Sequence, residues 1–310
     1  PIKGWLVYAT NLLQALPNQE ETIKAIQELD LMVVVDVIPS EIAGWADVIL
    51  PESIYLERHD EINVEWFRQG FVALRQPVVE SPQDQKPNWW IARELAKKLG
   101  LQSYFPWTHV EDYLRYRIEG AGLSYEELQE KGILHGPKEP IYYDEGLEPE
   151  FPTPSGKIEF YSAQLEEAGF DPMPRYTAPE PGPSGYFRLL YGRAPVHSFS
   201  RTQSNPMLKE MMKENEVWVN SDITRRMGLK SGDRVRLKNQ DGVVSSPIRI
   251  RATQTIRRDC VYMVHGFGQR NKMLKDSYDK GASDAQLMTR YKVDPLMGGT
   301  GMNMNFVALV

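Results

Sequence analysis

Within the opening residues two short apolar runs, Trp5-Leu6-Val7-Tyr8-Ala9-Thr10 and Leu31-Met32-Val33-Val34-Val35, flank a stretch whose apolar residues Ile23, Ile26 and Leu29 recur at helical spacing. Short, continuous apolar runs of this kind read as strands buried on both faces. Asn18 has the chemistry of a helix N-cap, and Glu21 three residues on completes a capping-box-like pair. Strand, helix, strand so close together predicts a βαβ unit. Its strands are parallel, because parallel neighbours need a crossover and cannot be joined by a tight turn. A turn at Pro39-Ser40-Glu41-Ile42-Ala43 leads to a third short strand, Asp47-Val48-Ile49-Leu50, closed by Pro51.

Downstream the pattern loosens. Arg68-Gln69-Gly70 suits a hairpin between Val64-Glu65-Trp66 and Phe71-Val72-Ala73-Leu74. Pro87 suits the start of a helix with a Trp90, Ile91, Leu95, Leu99 stripe ended by Gly100. Helices are expected over 110–119 and 125–130, the latter with Ser124 and Glu127 as a capping box. Residues 136–156, rich in Pro, Gly and acid, read as an extended crossing segment, and Pro179-Glu180-Pro181-Gly182-Pro183-Ser184-Gly185 as a linker.

Beyond the linker the texture changes to short strands at 187–191, 217–220, 234–237, 243–251, 260–264 and 306–310. Asn239-Gln240-Asp241-Gly242 is a tight turn, and one short helix runs from Asp222 to Met227 before Gly228. Closely spaced short strands argue for a closed β-barrel. The expected division is therefore an α/β region over 1–135, a crossing segment and linker over 136–185, and a barrel over 186–310. A chain of 310 residues is consistent with about two domains.

Composition removes several function classes. Asp plus Glu outnumber Lys plus Arg by 42 to 36, for a net charge of −6, the reverse of the imbalance a nucleic-acid binder carries. The single cysteine, Cys260, excludes a disulfide framework or a four-thiolate cluster within these residues and sits in an apolar strand pattern, as a small buried hydrophobe would. No run approaches the length of a membrane span. The chain lacks an initiator Met and runs almost at once into a strand, so it reads as part of a longer polypeptide whose export signal would lie upstream.

Three places can carry chemistry. Ligands on open parallel sheets lie at the carboxyl ends of strands, where Asn11 and Asp36 stand. Asp36 suits ribose hydroxyls or the N1–H and N2–H of a guanine, and equally suits a role confined to ending its strand. The stretch Tyr191-Gly192-Arg193-Ala194-Pro195-Val196-His197-Ser198-Phe199-Ser200-Arg201-Thr202 gathers glycine, two arginines, histidine and hydroxyls directly after a strand. It fits phosphate or pterin oxygens, and a solvated loop would explain the same residue types. Gly298-Gly299-Thr300-Gly301-Met302-Asn303-Met304-Asn305 is either an anion-wrapping turn or a flexible one. No GxGxxG is present, the five histidines lack metal-ligand spacing, and no nucleophilic triad stands out. On residues alone the chain is a scaffold for a large polar, nucleotide-bearing ligand.

These segments resemble the C-terminal half of the molybdopterin oxidoreductases of the dimethyl sulfoxide reductase family. Residues 36–51, DVIPSEIAGWADVILP, resemble the family's D-x-x-P-T-E-T-A-x-x-A-D-V-V-L-P passage. Residues 151–159, FPTPSGKIE, are similar to its F-x-T-P-S-G-K-I-E crossing, and Trp218 through Asp233 to the run that opens its final domain. The motif over 192–203, GRAPVHSFSRTQ, and the Gly- and Asn-rich tail look most like polysulfide and thiosulfate reductase catalytic subunits.

The resemblance implies a Rossmann-like domain followed by a double-psi β-barrel, sharing a molybdenum bis(molybdopterin guanine dinucleotide) cofactor. Carried over by position, Asn11 and Asp36 would bind one guanosine, with Arg58 near it and Asn88 a polar contact. Gly192, Arg193, His197, Ser198, Phe199 and Ser200 would line pterins and phosphates, and Gln286 and Asn303 would close from the tail. His197 and Arg201 would be the groups facing a substrate funnel. Two departures are visible: Ile42 replaces a threonine of the family passage, and Glu57-Arg58-His59-Asp60-Glu61 replaces its E-R-x-G-T. The molybdenum ligand and any 4Fe-4S cysteines would belong to an N-terminal half.

The implied activity is two-electron reduction of polysulfide or thiosulfate. An iron–sulfur subunit and a membrane anchor would be partners, at the periplasmic or outer face of the cytoplasmic membrane. Arsenate, tetrathionate, nitrate or formate chemistry is the rival within the family. A cofactor-less structural paralogue is the non-enzymatic rival, which retention of the whole 192–202 cluster opposes. An autonomous guanine-nucleotide module would need a P-loop, which is lacking.

Overall fold

The computed structural model describes residues 2–65, 67–82, 84–139, 150–173 and 175–310. They pack as two units, the first made of 1–52 with 179–310 and the second of 53–178. This division crosses the linear boundaries at 135 and 185, because the parallel sheet ends near residue 52 and the chain returns to the first unit at the Pro-rich linker.

The front of the first unit holds β1 (Gly4–Tyr8), α1 (Leu12–Ala15), α2 (Gln19–Gln27), β2 (Leu31–Asp36), a 3-10 turn (Glu41–Trp45) and β3 (Val48–Pro51). The strands are all parallel in the order β1-β2-β3, with Tyr8 beside Val35 and Asp36 beside Pro51. The Asn18 side chain accepts from Glu21 N at 3.4 Å and starts α2 as its chemistry predicts. Val7, Met32 and Val34 face Leu13, Ile26 and Ile42 in a buried core. The opposite face departs from the expectation of two-sided burial. Leu6, Tyr8 and Val48 remain 42–46% exposed, because the α1, α2 and 3-10 elements cover one side only.

The second unit contains an antiparallel sheet of β4 (Asn63–Glu65), β5 (Gln69–Ala73) and β6 (Ile133–Lys138), with α3 (Asn88–Lys98), α4 (Val110–Gly120), α5 (Tyr125–Lys131) and α6 (Ala163–Glu167). The expected hairpin is present as β4–β5, although Trp66 lies outside the described residues. β6 occupies the start of the expected crossing segment, of which 140–149 lie outside the described residues. The helix after Pro87 forms, but Trp90, Leu95 and Leu99 stay partly or largely exposed, and Ile91 and Ala96 are the residues it buries. Ser124 caps α5 by accepting from Glu127 N at 3.1 Å.

After the linker come β7 (Phe187–Gly192), α7 (Pro206–Met211), β8 (Glu216–Asn220), α8 (Ser221–Arg226), β9 (Arg234–Val235), β10 (Leu237–Asn239), β11 (Ile248–Thr253) and β12 (Cys260–Val264). A small hairpin, β13 (Lys292–Val293) with β14 (Thr300–Gly301), and β15 (Phe306–Leu309) follow. The main sheet runs β10-β15-β7-β12-β8-β11-β9. Its two edge strands are consecutive in sequence, and Arg236 between them exchanges backbone hydrogen bonds with Val310 at 2.8 and 2.9 Å. Residues 234–239 thus pair with β11 at one end and β15 at the other, which brings the two ends of the sheet together into a nearly closed barrel.

Inward-facing Leu189, Val217, Val219, Ile248, Ile250, Val261 and Met263 fill the barrel, each at most 1% exposed. The alternation that put these residues inside is legible in strands such as Ile248-Arg249-Ile250-Arg251. The expected strand 243–251 instead divides, with Val244 bridging Lys238 before β11 begins.

The Asn239–Gly242 turn is anchored by a two-pronged ion pair. Arg290 Nη2 and Nε lie 2.6 and 3.1 Å from the two carboxylate oxygens of Asp241. Chiefly through that guanidinium, with help from Thr289 and Gln240 against the opposing effect of burial, the Asp241 carboxyl is lowered from 3.8 to about 2. A depressed carboxyl contributes stability that is present above its ordinary value and lost as pH falls towards the folded one. Arg290→Ala should therefore raise the pH midpoint of acid unfolding, followed by circular dichroism between pH 5 and pH 2. An unchanged midpoint would remove this pair from the acid response.

Candidate functional site

In the first unit, β7 and β12 are parallel neighbours that end side by side at Gly192 and Val264, and His265 N continues the ladder by donating to Gly192 O at 2.9 Å. Two loops leave this point, 193–205 and 265–284. They are packed backbone to backbone. A Cβ on Gly266 would lie 2.2 Å from Phe199 O, and within the second loop one on Gly268 would lie 2.3 Å from Ser283 N. Both glycines have positive φ, so side-chain absence is required twice over, for space and for conformation.

Phe199 itself has φ +49, rare for a bulky residue, and its carbonyl accepts from the Gln203 amide. Its exposed ring lies under the Arg193 guanidinium, 4.1 Å from Cζ to centroid, and stands edge-on to His265 at 6.2 Å. Strained conformations held by surrounding structure concentrate at functional sites. The second such residue here is Ala9, φ +52, at the carboxyl end of β1, whose N–H donates to Val35 O.

The strand ends and the barrel loops meet. Two residues after Ala9, the Asn11 amide donates to Ser200 Oγ at 3.3 Å, while Gln269 Nε2 donates to Ser200 O at 2.7 Å. Asp36 closes its own turn, accepting from Val37 N at 2.8 Å and Ser40 Oγ at 2.9 Å. The turn is tied to the barrel by Asn271, whose side-chain nitrogen donates to Pro39 O and Ser40 O at 2.9 and 2.8 Å. Asn11, Asp36, Arg193, Phe199 and Ser200 therefore belong to one connected framework. Gln286 borders a neighbouring cavity.

Three buried oxygens in this framework have no partner among the described residues: Asn11 Oδ1, Gln203 Oε1 and Asp284 Oδ1. Buried polar atoms are normally satisfied, so acceptors left open in a framework that also carries the exposed Arg193 guanidinium are what a ligand with N–H donors and anionic groups would complete.

The other expected residues have different surroundings. His197 is 4% exposed, and its ring nitrogens are engaged by Thr202 Oγ1 at 3.1 Å and Met212 O at 2.9 Å. It braces the loop and has no ring nitrogen left to face a ligand or a substrate funnel. Arg201 is exposed on the same loop. The Asn303 side chain is exposed beyond the β13–β14 hairpin, and its carbonyl accepts from Arg188 at 2.6 Å. Arg58 and Asn88 belong to the second unit. There Arg58 pairs with Asp60 at 2.7 Å and Asn88 Oδ1 accepts from Trp89 N. Burial pushes the Cys260 thiol up, as a packed hydrophobe rather than a nucleophile requires. Among the described residues no three His, Cys, Asp or Glu side chains are placed to hold a metal ion.

The sequence reading missed the pair His265 and Asp284. His265 Nδ1 lies 2.7 Å from Asp284 Oδ2, and Asp284 is fully buried. Burial pulls the imidazole down, but the hydrogen bond and charge of Asp284 outweigh it and hold His265 above its ordinary value. The His-Gly-Phe-Gly run directly after an apolar strand was the available signal, since two glycines around a strand end mark close backbone approach.

A family model described as molybdopterin oxidoreductase matches residues 1–98, and one described as molydopterin dinucleotide binding domain matches residues 187–305. The chain belongs to the molybdopterin oxidoreductase family. It is 35% identical over 295 residues to the thiosulfate reductase molybdopterin-containing subunit PhsA of Salmonella typhimurium, covering 86% of this chain and 38% of that protein. It is 28% identical to the putative dimethyl sulfoxide reductase chain YnfE of Escherichia coli, covering all of this chain and 42% of that one. The solved acetylene hydratase from Pelobacter acetylenicus shares the fold, with a TM-score of 0.80 at 24% identity over 100% of this chain and 44% of that one. The chain thus spans about two-fifths of the length of these relatives. As a family member it carries a dinucleotide-binding barrel, and the unsatisfied acceptors and exposed Arg193 fit a molybdopterin cofactor.

Proposed function

We propose that this chain is the C-terminal part of a molybdenum oxidoreductase catalytic subunit that reduces a small sulfur species, thiosulfate or polysulfide, by two electrons. The observation that carries the reading is the joining of the β1 end to the barrel loop through Asn11 and Ser200, beside three unsatisfied buried acceptors. On this reading the front sheet is Rossmann-like, the barrel is of the double-psi kind and the cofactor is a bis(molybdopterin guanine dinucleotide). When bound, that cofactor supplies the redox chemistry at molybdenum.

The residues of this chain bind and orient. Asp36 has carboxylate lone pairs left beyond its turn bonds for guanine or ribose donors. Arg193 offers a planar fork for phosphate oxygens, and Phe199 an aromatic edge for a pterin. His265, held by Asp284, offers Nε2 as a donor when protonated. Gln286 and the exposed Asn303 would complete polar contacts, and Arg201 would face incoming substrate. Arg58 and Asn88 are assigned to the nucleotide by family position.

Similarity to a thiosulfate reductase subunit over 86% of the chain supports the sulfur chemistry. An iron–sulfur subunit and a membrane anchor would deliver electrons at the periplasmic or outer face of the cytoplasmic membrane, with any 4Fe-4S cluster on an N-terminal half. Among the described residues no helix is long and apolar enough to cross a membrane. The purified full-length protein, assayed with a reduced dye against thiosulfate, polysulfide, tetrathionate, nitrate, arsenate and formate, should turn over the first two fastest. Turnover confined to nitrate, arsenate or formate would overturn the substrate assignment.

A further inference from the structure

Inside the first unit, the α1–α2 layer and the 3-10 turn face the barrel segments 268–272 and 283–289 across a cavity of about 640 Å³. That volume is within the range of small-molecule sites, roughly 300–1,000 Å³. The walls are held apart by hydrogen bonds rather than collapsed. Glu41 accepts from Arg270 N at 2.8 Å and Asn271 N at 3.1 Å, and Asn18 N donates to Met288 O at 2.7 Å.

The polar lining is unbalanced. Its two carboxylates are committed, Glu41 to those backbone N–H groups and Glu20 to Lys24 at 2.7 Å. Its cations are not, since neither Arg270 nor Lys272 has a side-chain partner among the described residues. Gln14 is only 3% exposed. Its Oε1 accepts from Ser283 Oγ at 3.4 Å, yet its amide nitrogen has no acceptor among the described residues, although it borders the cavity. The Gln286 amide is likewise free, and the amino end of α2 adds a favourable dipole. Trp45, 39% exposed, supplies a flat apolar wall. A cavity whose two carboxylates are used while its two cations stay open calls for an anion.

We propose that this cavity binds a tetrahedral oxyanion, free or carried on a nucleotide-sized ester, held by Arg270 and Lys272 with the Gln14 and Gln286 amides. Its lining shares only Gln286 with the residues assigned to the molybdopterin dinucleotide. The test is calorimetric titration of the full-length, molybdenum-loaded protein with inorganic phosphate, thiosulfate and guanosine monophosphate, repeated on Arg270→Gln/Lys272→Gln. At least one probe should bind saturably and lose about tenfold or more in affinity in the variant, with molybdenum and cofactor nucleotide content unchanged. Preference for the ester would assign a nucleotide and equal affinity a free oxyanion, and either supports the site. No saturable binding by any probe, affinity unchanged in the variant, or loss of cofactor nucleotide in the variant would overturn it. That last result would assign the cavity to the cofactor itself.

Discussion

Gly268→Ala is expected to destabilise the first unit by about 4 kcal/mol, combining ~1–2 kcal/mol for a left-handed non-glycine residue with ~1–3 kcal/mol for overpacking. At φ +72 the new methyl would sit 2.3 Å from Ser283 N and 2.7 Å from Ala282 C, and backbone cannot move aside as a flexible side chain would. The displaced segment carries Asp284, so molybdenum retention should fall as well. Urea unfolding together with metal analysis measures both. A loss below about 1 kcal/mol would mean that the 265–284 loop is not packed on itself as described.

Asp284→Asn is expected to cost about 3 kcal/mol at neutral pH, the scale seen when a buried pair loses one charge. It should also drop the His265 pKa below its ordinary value, because burial then acts alone. The sign follows from the raised native value. The stabilisation is fully present below the unfolded value of 6.5 and is lost as pH rises through the higher folded one. The gap between native protein and variant should therefore be widest in the acid limb near pH 6 and shrink towards pH 9. Histidine NMR titration and unfolding at those two pH values check this. A gap that does not change with pH would show that the pair is not an ionic one.

Much of the fold is written locally. Asn18 and Ser124 announce helix starts through short-range hydrogen bonds, and alternation in Ile248-Arg249-Ile250-Arg251 announces an inward and an outward face. Barrel closure is not local, because it depends on Arg236 meeting Val310. The exposed Leu6 and Tyr8 side of the front sheet was equally hidden, since an apolar run specifies a strand but not what covers it.

The site divides the same way. Asn11, Asp36, Arg193 and Ser200 stand out because polar residues at strand ends are unusual, and the structure connects their loops. His197 misleads for a physical reason. A histidine in a polar loop looks like a ligand, but partners five and fifteen residues further on turn it into a brace. His265 and Asp284 are nineteen positions apart along a loop whose path no local pattern reveals.

The central claim is that the front-sheet ends and the barrel loops hold one molybdopterin dinucleotide together. Arg193 tests it most directly, because its side chain is exposed and touches the Phe199 ring rather than the core, so Arg193→Ala should leave the fold intact. Metal and nucleotide analysis of the purified full-length protein should find molybdenum and guanine nucleotide in the native form and both clearly reduced in the variant, at unchanged thermal stability. Full molybdenum and nucleotide content in the variant, or none in the native protein, would contradict the account.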